Sequence, residues 1–210
     1  MSERGSKSIT IGKRLLAEEV FHHIATQIIE GELEPGHRIR DIDVADELHV
    51  SRTPVREALQ RLERLGLVTM YPSRYTEVTA VTPELVDQTL EFAGYQAGTA
   101  AHMSVPRMSA SERSRAAELV GDLISAVDDS TRTSEARWAV FSYLSEHSGN
   151  DQYRALVSES GMALFRNLHD WTVPVDDQAR MRQLYLGLQR AILDGDADEA
   201  ERCARAMHYI

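Results

Sequence analysis

Arg52, Thr53 and Arg56 crowd the start of the run Val50-Ser51-Arg52-Thr53-Pro54-Val55-Arg56-Glu57-Ala58-Leu59-Gln60-Arg61-Leu62. A guanidinium carries a planar fork of N–H donors that matches the edge of guanine, and the open N–H groups of a helix's first turn hold phosphate. The spacing of the run is helical. At about 100° per residue, Val55, Ala58, Leu59, Leu62 and Leu65 fall on one side and Arg52, Thr53, Arg56 and Gln60 on the other. Ser51 suits the N-cap, and Pro54 is tolerated because it falls in the first turn, where its missing N–H has no partner to lose. The chemistry on offer is contact with the major groove of DNA. Taken alone, the pattern also describes an amphipathic surface helix with solvated arginines, so the surrounding elements must decide.

Ahead of the run, Asp43-Val44-Ala45-Asp46-Glu47-Leu48 is a short helical stretch with Val44, Ala45 and Leu48 apolar, and His49-Val50 turns the chain into the next helix. Helix, tight turn and helix is the layout in which the second helix enters the groove. Behind it, Gly66 is a C-cap. Leu67–Tyr71 and Thr76–Thr79 then read as short strands joined by the turn Pro72-Ser73-Arg74-Tyr75. A two-stranded wing with Arg74 at its tip completes a winged helix-turn-helix. Upstream, Lys13 to Glu30 reads as a helix with Leu16, Val20, Ile24 and Ile28 as its buried stripe; Gly31 stops it and Pro35-Gly36 is a turn. Residues 1–10, rich in Ser, Arg, Gly and Lys, read as a flexible arm. His22 and His23 are adjacent, point to different sides of the helix, and read as surface residues.

Glu34-Pro35-Gly36-His37-Arg38-Ile39, Val44-Ala45, and Leu48-His49-Val50-Ser51-Arg52-Thr53-Pro54-Val55-Arg56-Glu57-Ala58-Leu59, followed by Leu62-Glu63 and Gly66-Leu67-Val68, resemble the DNA-binding domain of GntR-family bacterial transcription regulators. The resemblance is dense over roughly residues 15 to 80. It implies that Arg52, Thr53, Arg56 and the wing tip touch DNA. The set expected to face DNA is Ser51, Arg52, Thr53, Pro54, Arg56 and Arg74, with Arg40. One residue departs from the family pattern: Tyr75 stands where a wing glycine is usual, which predicts a differently shaped tip.

The composition excludes several classes. With 42% hydrophobic residues a real core forms, so disorder is not the default. A single cysteine, Cys203, rules out a disulfide framework or a zinc cluster built from cysteine and fits a reducing compartment. No apolar run approaches a membrane span and the N-terminus lacks a signal-peptide core, so a soluble cytoplasmic protein is expected. The net charge of −10 opposes general nucleic-acid binding. It is unevenly spread: residues 1–80 carry a net −2 and residues 81–210 a net −8, while residues 51–64 hold four arginines against two glutamates. A small basic face on an acidic body predicts local, site-specific contact, strengthened by pairing two copies.

After Thr82-Pro83, an N-cap followed by proline in the first turn, nothing reads as a strand. Helices are expected at 83–103, 110–128, 133–148, 151–171, 176–194 and 197–208. Ser109 or Ser111, Thr133 or Ser134, Asn150 or Asp151, and Pro174 to Asp177 are the start signals; Gly149 and Gly195 are the stops. The fold class is therefore mainly α: a flexible arm over 1–10, a winged helix-turn-helix over 11–80, and an all-α bundle over 81–210.

The helix count, Leu144 with Ser148-Gly149-Asn150, and Ala191-Ile192 with Gly195-Asp196 and Ala200 resemble the FCD-type ligand-binding domain of FadR-like GntR regulators. The resemblance implies an inner cavity for a small organic acid and, in many members, a divalent metal held by one Asp and three His. Aligned on those motifs, the ligand positions carry Arg137, Phe141, Tyr185 and Met207, the last one residue short of His208. His102, His147 and His169 form no i,i+4 pair. No bound metal and no other cofactor is expected. Without a metal, the effector wall is read as Arg137, Phe141, Tyr185 and Gln189, with Arg137 a fixed cation suited to carboxylate or phosphate. The alternative is that Arg137 points to solvent while Phe141 and Trp138 fill the core.

Enzyme signatures are absent. There is no glycine-rich phosphate loop, Gly-x-Ser-x-Gly or His-Glu-x-x-His. Ser158-Glu159-Ser160-Gly161 lies inside a helical pattern, and Asp128-Asp129 and Asp176-Asp177 read as helix-end charges. The expected protein is a homodimeric, sequence-specific DNA-binding regulator, of the repressor type, that binds an inverted-repeat operator on double-stranded DNA. A small-molecule effector in the bundle modulates it. The rival is an effector-independent dimeric regulator with a filled bundle. An empty, polar-lined cavity separates the two.

Overall fold

A computed structural model describes residues 3–72 and 74–210, with side chains from Leu15 onward. The chain divides into two units, Met1–Val81 and Thr82–Ile210.

In the first unit, helix α1 spans Glu3–Ile29. It begins well ahead of Lys13, so most of the stretch read as an arm falls within its range; no proline interrupts residues 3–13, and the glycines there lower helix propensity without forbidding it. Met1 and Ser2 lie outside the described residues. Val20, Phe21, Ile24, Ala25 and Ile28 are buried, and Leu16 is half-buried. The segment that follows includes a strand the periodicity does not disclose, β1 (Arg38–Ile39). Helix α2 is Asp41–Glu47 and helix α3 is Arg52–Arg64. The turn between them is closed by His49, whose φ of 53° is left-handed, and by the Val50 N–H donating to Ala45 O at 2.9 Å. Strands β2 (Val68–Tyr71) and β3 (Tyr75–Val78) form the wing, and the sheet order is β1-β3-β2, all antiparallel.

The apolar stripe of α3, with Val55, Ala58, Leu59 and Leu62 all buried, packs on α1. Burying each of the larger side chains contributes roughly 1.5–3 kcal/mol. Arg61 closes the seam: its guanidinium lies 4.0 Å from the centre of the Phe21 ring and is paired with Glu18.

The second unit is six α-helices: α4 (Pro83–Ser104), α5 (Ala110–Ser125), α6 (Ser130–Glu146), α7 (Asp151–Leu168), α8 (Gln178–Asp194) and α9 (Ala197–Ala206), with a 3-10 turn at Val175–Asp177. The caps explain the starts. The Thr82 hydroxyl accepts from Leu85 N, Ser109 and Glu112 form a reciprocal box, and the side chains of Asn150 and Asp196 accept from Tyr153 N and Glu199 N. Helix α6 starts earlier than Thr133 because Asp129 caps it by accepting from Arg132 N. The two hydroxyls that looked like caps are buried and used elsewhere: Thr133 donates to Ala126 O, and Ser134 to Leu168 O at 2.7 Å. Gly149 and Gly195 take left-handed φ values of 66° and 77° where α6 and α8 end. The core runs through Val120, Leu123, Leu144, Met181, Tyr185, Leu188, Ile192 and Met207, all nearly inaccessible. Among the described residues, no helix is long and apolar enough to cross a membrane.

Candidate functional site

There are two candidate sites, one in each unit. In the first, the start of α3 and the wing frame an open groove lined by Arg40, Asp41, Arg52, Arg56, Gln60 and Arg74. The groove exists because the apolar stripe of α3 is spent on α1, which leaves the opposite face outward. Arg52, Thr53, Arg56 and Gln60 are exposed there. Ser51 sits at the N-cap position, but its hydroxyl makes no capping bond. Arg40 is exposed and pairs with Asp43 at 3.6 Å, and Arg74 is exposed with its N–H donating to Tyr71 O at 3.0 Å. Ser73, part of the predicted turn, lies outside the described residues.

Pro54 leaves the DNA-facing set. It is buried, because it stands one helical turn ahead of Ala58 on the packed face. Tyr75 is not a turn residue: it pairs with Tyr71 across the wing, with ring centres 4.7 Å apart, and Arg38 lies 4.1 Å over its ring. Where the family pattern has a flexible glycine, this wing carries an aromatic rung.

The residue that periodicity missed is Asp41. Its carboxylate accepts from Arg52 Nη2 at 2.9 Å on both oxygens and from Arg56 Nε at 2.6 Å. Burial works to raise its pKa, but hydrogen bonds from Arg56 and Arg52 outweigh that and hold it below the usual carboxylate range. The one available signal was the acidic start of α2, and it does not say which basic residue the turn will deliver.

In the second unit, a cavity lies among α4, α6 and α7, closed by the end of α9. It is lined by Ala97, Arg137, Trp138, Phe141, Tyr153, Phe165 and His208, among others, and has a volume of about 70 Å³. Arg137 does not point to solvent: it is 6% exposed. None of its three guanidinium nitrogens has a hydrogen-bond partner among the described residues. Its guanidinium carbon sits 4.9 Å from the centre of the Trp171 ring. Burial lowers its pKa; the nearby Tyr185 hydroxyl works against that without reaching hydrogen-bond geometry, and is itself unpartnered. No aspartate or glutamate lines the cavity.

Phe141 lines the cavity and meets His208 edge-on at 5.6 Å. His208 is buried; its Nδ1 lies 2.8 Å from Ala204 O, and burial, helped by the Arg137 charge, brings its pKa down to about 3. Trp138 does not fill the core: it is 41% exposed at the cavity's rim. Two of the four expected wall residues do not line the cavity: Tyr185 is packed in the core and Gln189 faces α5. One turn beyond Tyr185 on α8, the Gln189 amide donates to Ala117 O of α5 at 2.8 Å. His208 and Tyr153, which do line it, were not foreseen as ligand residues.

The set does not fit a divalent cation. At the positions where one Asp and three His are implied, a guanidinium repels a cation, a phenyl ring offers no donor, and Tyr185 and Met207 are weak or distant substitutes. Among the described residues, no three His, Cys, Asp or Glu side chains gather as a metal site would require.

Residues 16–78 match the profile of bacterial regulatory proteins of the gntR family, and residues 97–208 match the FCD domain. The chain is 30% identical over 110 residues to an HTH-type transcriptional regulator of Agrobacterium vitis from the TAR-I ttuE-ttuC' intergenic region, covering 50% of this chain and 63% of that protein. It is 43% identical over 72 residues to the HTH-type transcriptional regulator Mce2R of Mycobacterium tuberculosis, covering 34% of this chain and 29% of that protein. The chain thus spans less than two thirds of the length of either relative. Among solved structures, E. coli McbR/YncC superposes with a TM-score of 0.66 at 19% identity, covering 92% of this chain and 93% of that one, which shows a shared fold.

Proposed function

Because this chain belongs to the GntR family of bacterial regulatory proteins, with an FCD domain following its helix-turn-helix domain, we propose that it is a cytoplasmic, homodimeric transcriptional repressor that binds an inverted-repeat operator. In this reading a small anionic effector, held in the bundle cavity, modulates operator binding. The observation that carries the DNA-reading half is the pair Arg52 and Arg56, side by side and exposed at the start of the second helix of the turn, with Arg74 across the same groove. One head offers few cations and the chain is acidic, so selective binding calls for two heads on one two-fold axis, where the second contact is intramolecular.

The effector half is supported by Arg137. A buried cation without a hydrogen-bonding partner, in a cavity with no acid of its own, calls for an anion, and a carboxylate takes the guanidinium fork bidentately. The walls of Trp138, Phe141, Leu164 and Phe165 favour a small acid with an apolar body. Such a ligand weakens operator binding by its preference for the dimer geometry unfit for DNA, and only to the extent of that preference.

The test is fluorescence anisotropy on an operator selected from a random duplex library, with sedimentation equilibrium for mass. Arg52→Ala is expected to lose about 1–3 kcal/mol of specific binding per lost bidentate base contact while circular dichroism stays unchanged. Unaltered operator binding in that variant would remove α3 as the reader.

A further inference from the structure

We propose that Asp41 is a specificity-determining positioning residue: by gripping Arg52 and Arg56 with one carboxylate, it sets both guanidinium groups for base reading and cancels part of the charge that would otherwise bind any DNA. The inference rests on the DNA-reading role of α3 given above.

The geometry is that of a clamp. Asp41 opens α2, and its side chain is 20% exposed, whereas those of Arg52 and Arg56 are 52% and 58% exposed. The grip is on the inner edges of the two forks. Arg52 is held through Nη2, with Nε 3.3 Å away, and Arg56 through Nε alone. Arg52 Nη1 and both Nη atoms of Arg56 make no hydrogen bond among the described residues. Both Nη atoms of Arg56 are thus left for guanine O6 and N7, and Arg52 keeps Nη1 outward.

Two consequences follow. A long side chain fixed before binding has less rotamer freedom left to lose on the operator. Second, three charges sum to +1 where two bare arginines would present +2. Non-specific affinity grows with the number of phosphates a protein neutralises, so the clamp lowers binding to arbitrary sequence more than binding to the operator. Ion pairing holds the carboxyl ionised, so the clamp persists at neutral pH.

The experiment uses the full chain: selection from a random duplex library, then titration of the selected operator and of a scrambled duplex over a salt series. Asp41→Asn is expected to bind the scrambled duplex more tightly, with a salt slope steeper by about one, and to lower the operator-to-scrambled ratio at least about tenfold. Asp41→Glu, which keeps the charge and both partners, is expected to restore most of that ratio. Glu57→Gln is the charge control: it removes an exposed acid from α3, beside Arg56, and is expected to strengthen both duplexes alike. An Asp41→Asn variant that behaves as Glu57→Gln does, that changes neither affinity, or that binds the operator more tightly with unchanged base preference overturns the proposal.

Should Asp41→Asn fail to fold, the wild type still decides by nitrogen relaxation at the arginine Nε. Restricted motion at Arg52 and Arg56 relative to Arg74 is expected, and motion as free as that of Arg74 overturns it. A wild type that selects no sequence overturns the DNA reading itself and this inference with it; a wild type that selects sharply while Asp41→Asn selects as sharply overturns only the clamp.

Discussion

Replacing Arg137 with methionine keeps the apolar stem and removes the charge. In the free bundle that charge is buried, with three nitrogens lacking hydrogen bonds. The net penalty for a buried ion in a relaxed protein is several kcal/mol. Against it stands the face of Trp171, 4.9 Å away, worth about 2 kcal/mol when desolvated. The balance favours the variant by about 1–3 kcal/mol, so Arg137→Met is expected to melt roughly 3–10 °C above the ligand-free wild type. Ligand reverses the order: at a thousandfold excess over Kd, an anion that binds only the folded wild type adds about 4.1 kcal/mol, and it adds nothing to the variant. The assay is thermal unfolding followed by tryptophan fluorescence with a series of small aliphatic and aromatic carboxylates. The chain's two tryptophans, Trp138 and Trp171, both belong to the bundle and stand beside the cavity or its arginine, so the signal reports that unit. A variant that melts below the ligand-free wild type, or that keeps the same carboxylate-induced rise, would refute the reasoning.

Three other expectations are independent of that one. Burial brings His208 from 6.5 to about 3, so between those values the unfolded chain binds a proton the folded chain refuses; stability is full above about pH 6.5 and falls on acidification by about 1.4 kcal/mol per pH unit for one proton, and His208→Asn should flatten the fall of melting temperature between pH 7 and 4. His49 is exposed with φ of 53°, a conformation costing about 1–2 kcal/mol outside glycine, so His49→Gly should be slightly stabilising in chemical denaturation; a loss above about 1 kcal/mol would mean the imidazole makes a contact of its own. Arg74→Ala should weaken every duplex alike and lower the salt slope by about one, and a changed preference at one operator position would instead make Arg74 a base reader.

What could be read from the sequence was whatever repeats locally. The stripe of α3, the caps at Thr82 and Ser109, and the stops at Gly149 and Gly195 each depend on residues within a few positions of one another; the start of α6 was misjudged, because Asp129 caps it and not Thr133 or Ser134. What failed depends on pairing across the chain. Strand β1 is two residues long and exists only because Arg38 and Ile39 meet Glu77 and Thr76. Asp41 reaches Arg52 and Arg56 only after the turn at His49 has folded. Pro54 is a different kind of miss: its spacing from Ala58 already placed it on the packed face, and only its position inside the Arg-rich run grouped it with the exposed residues. In the bundle, aligning Arg137 and Phe141 with the family's ligand positions led to the cavity, but one turn of α8 separates Tyr185, near the guanidinium, from Gln189, committed to α5. The partner of the alignment's last position, His208, enters from the chain's end and had no periodicity to announce it.

The aromatic rung of the wing carries a kinetic implication. Tyr71 packs on Tyr75, donates its hydroxyl to Glu77 at 3.0 Å, and sits in a sheet whose third strand lays Arg38 over Tyr75. A hairpin cross-braced in this way loses its backbone freedom when the chain folds and not when it meets DNA. In the DNA-reading role proposed above, its paired strands meet the duplex already ordered. Under that proposal the braced strands have little freedom to follow a misplaced phosphate. Sites with shifted half-site spacing should therefore be released quickly, so that discrimination among near-matched operators is expressed in dwell time more than in encounter rate.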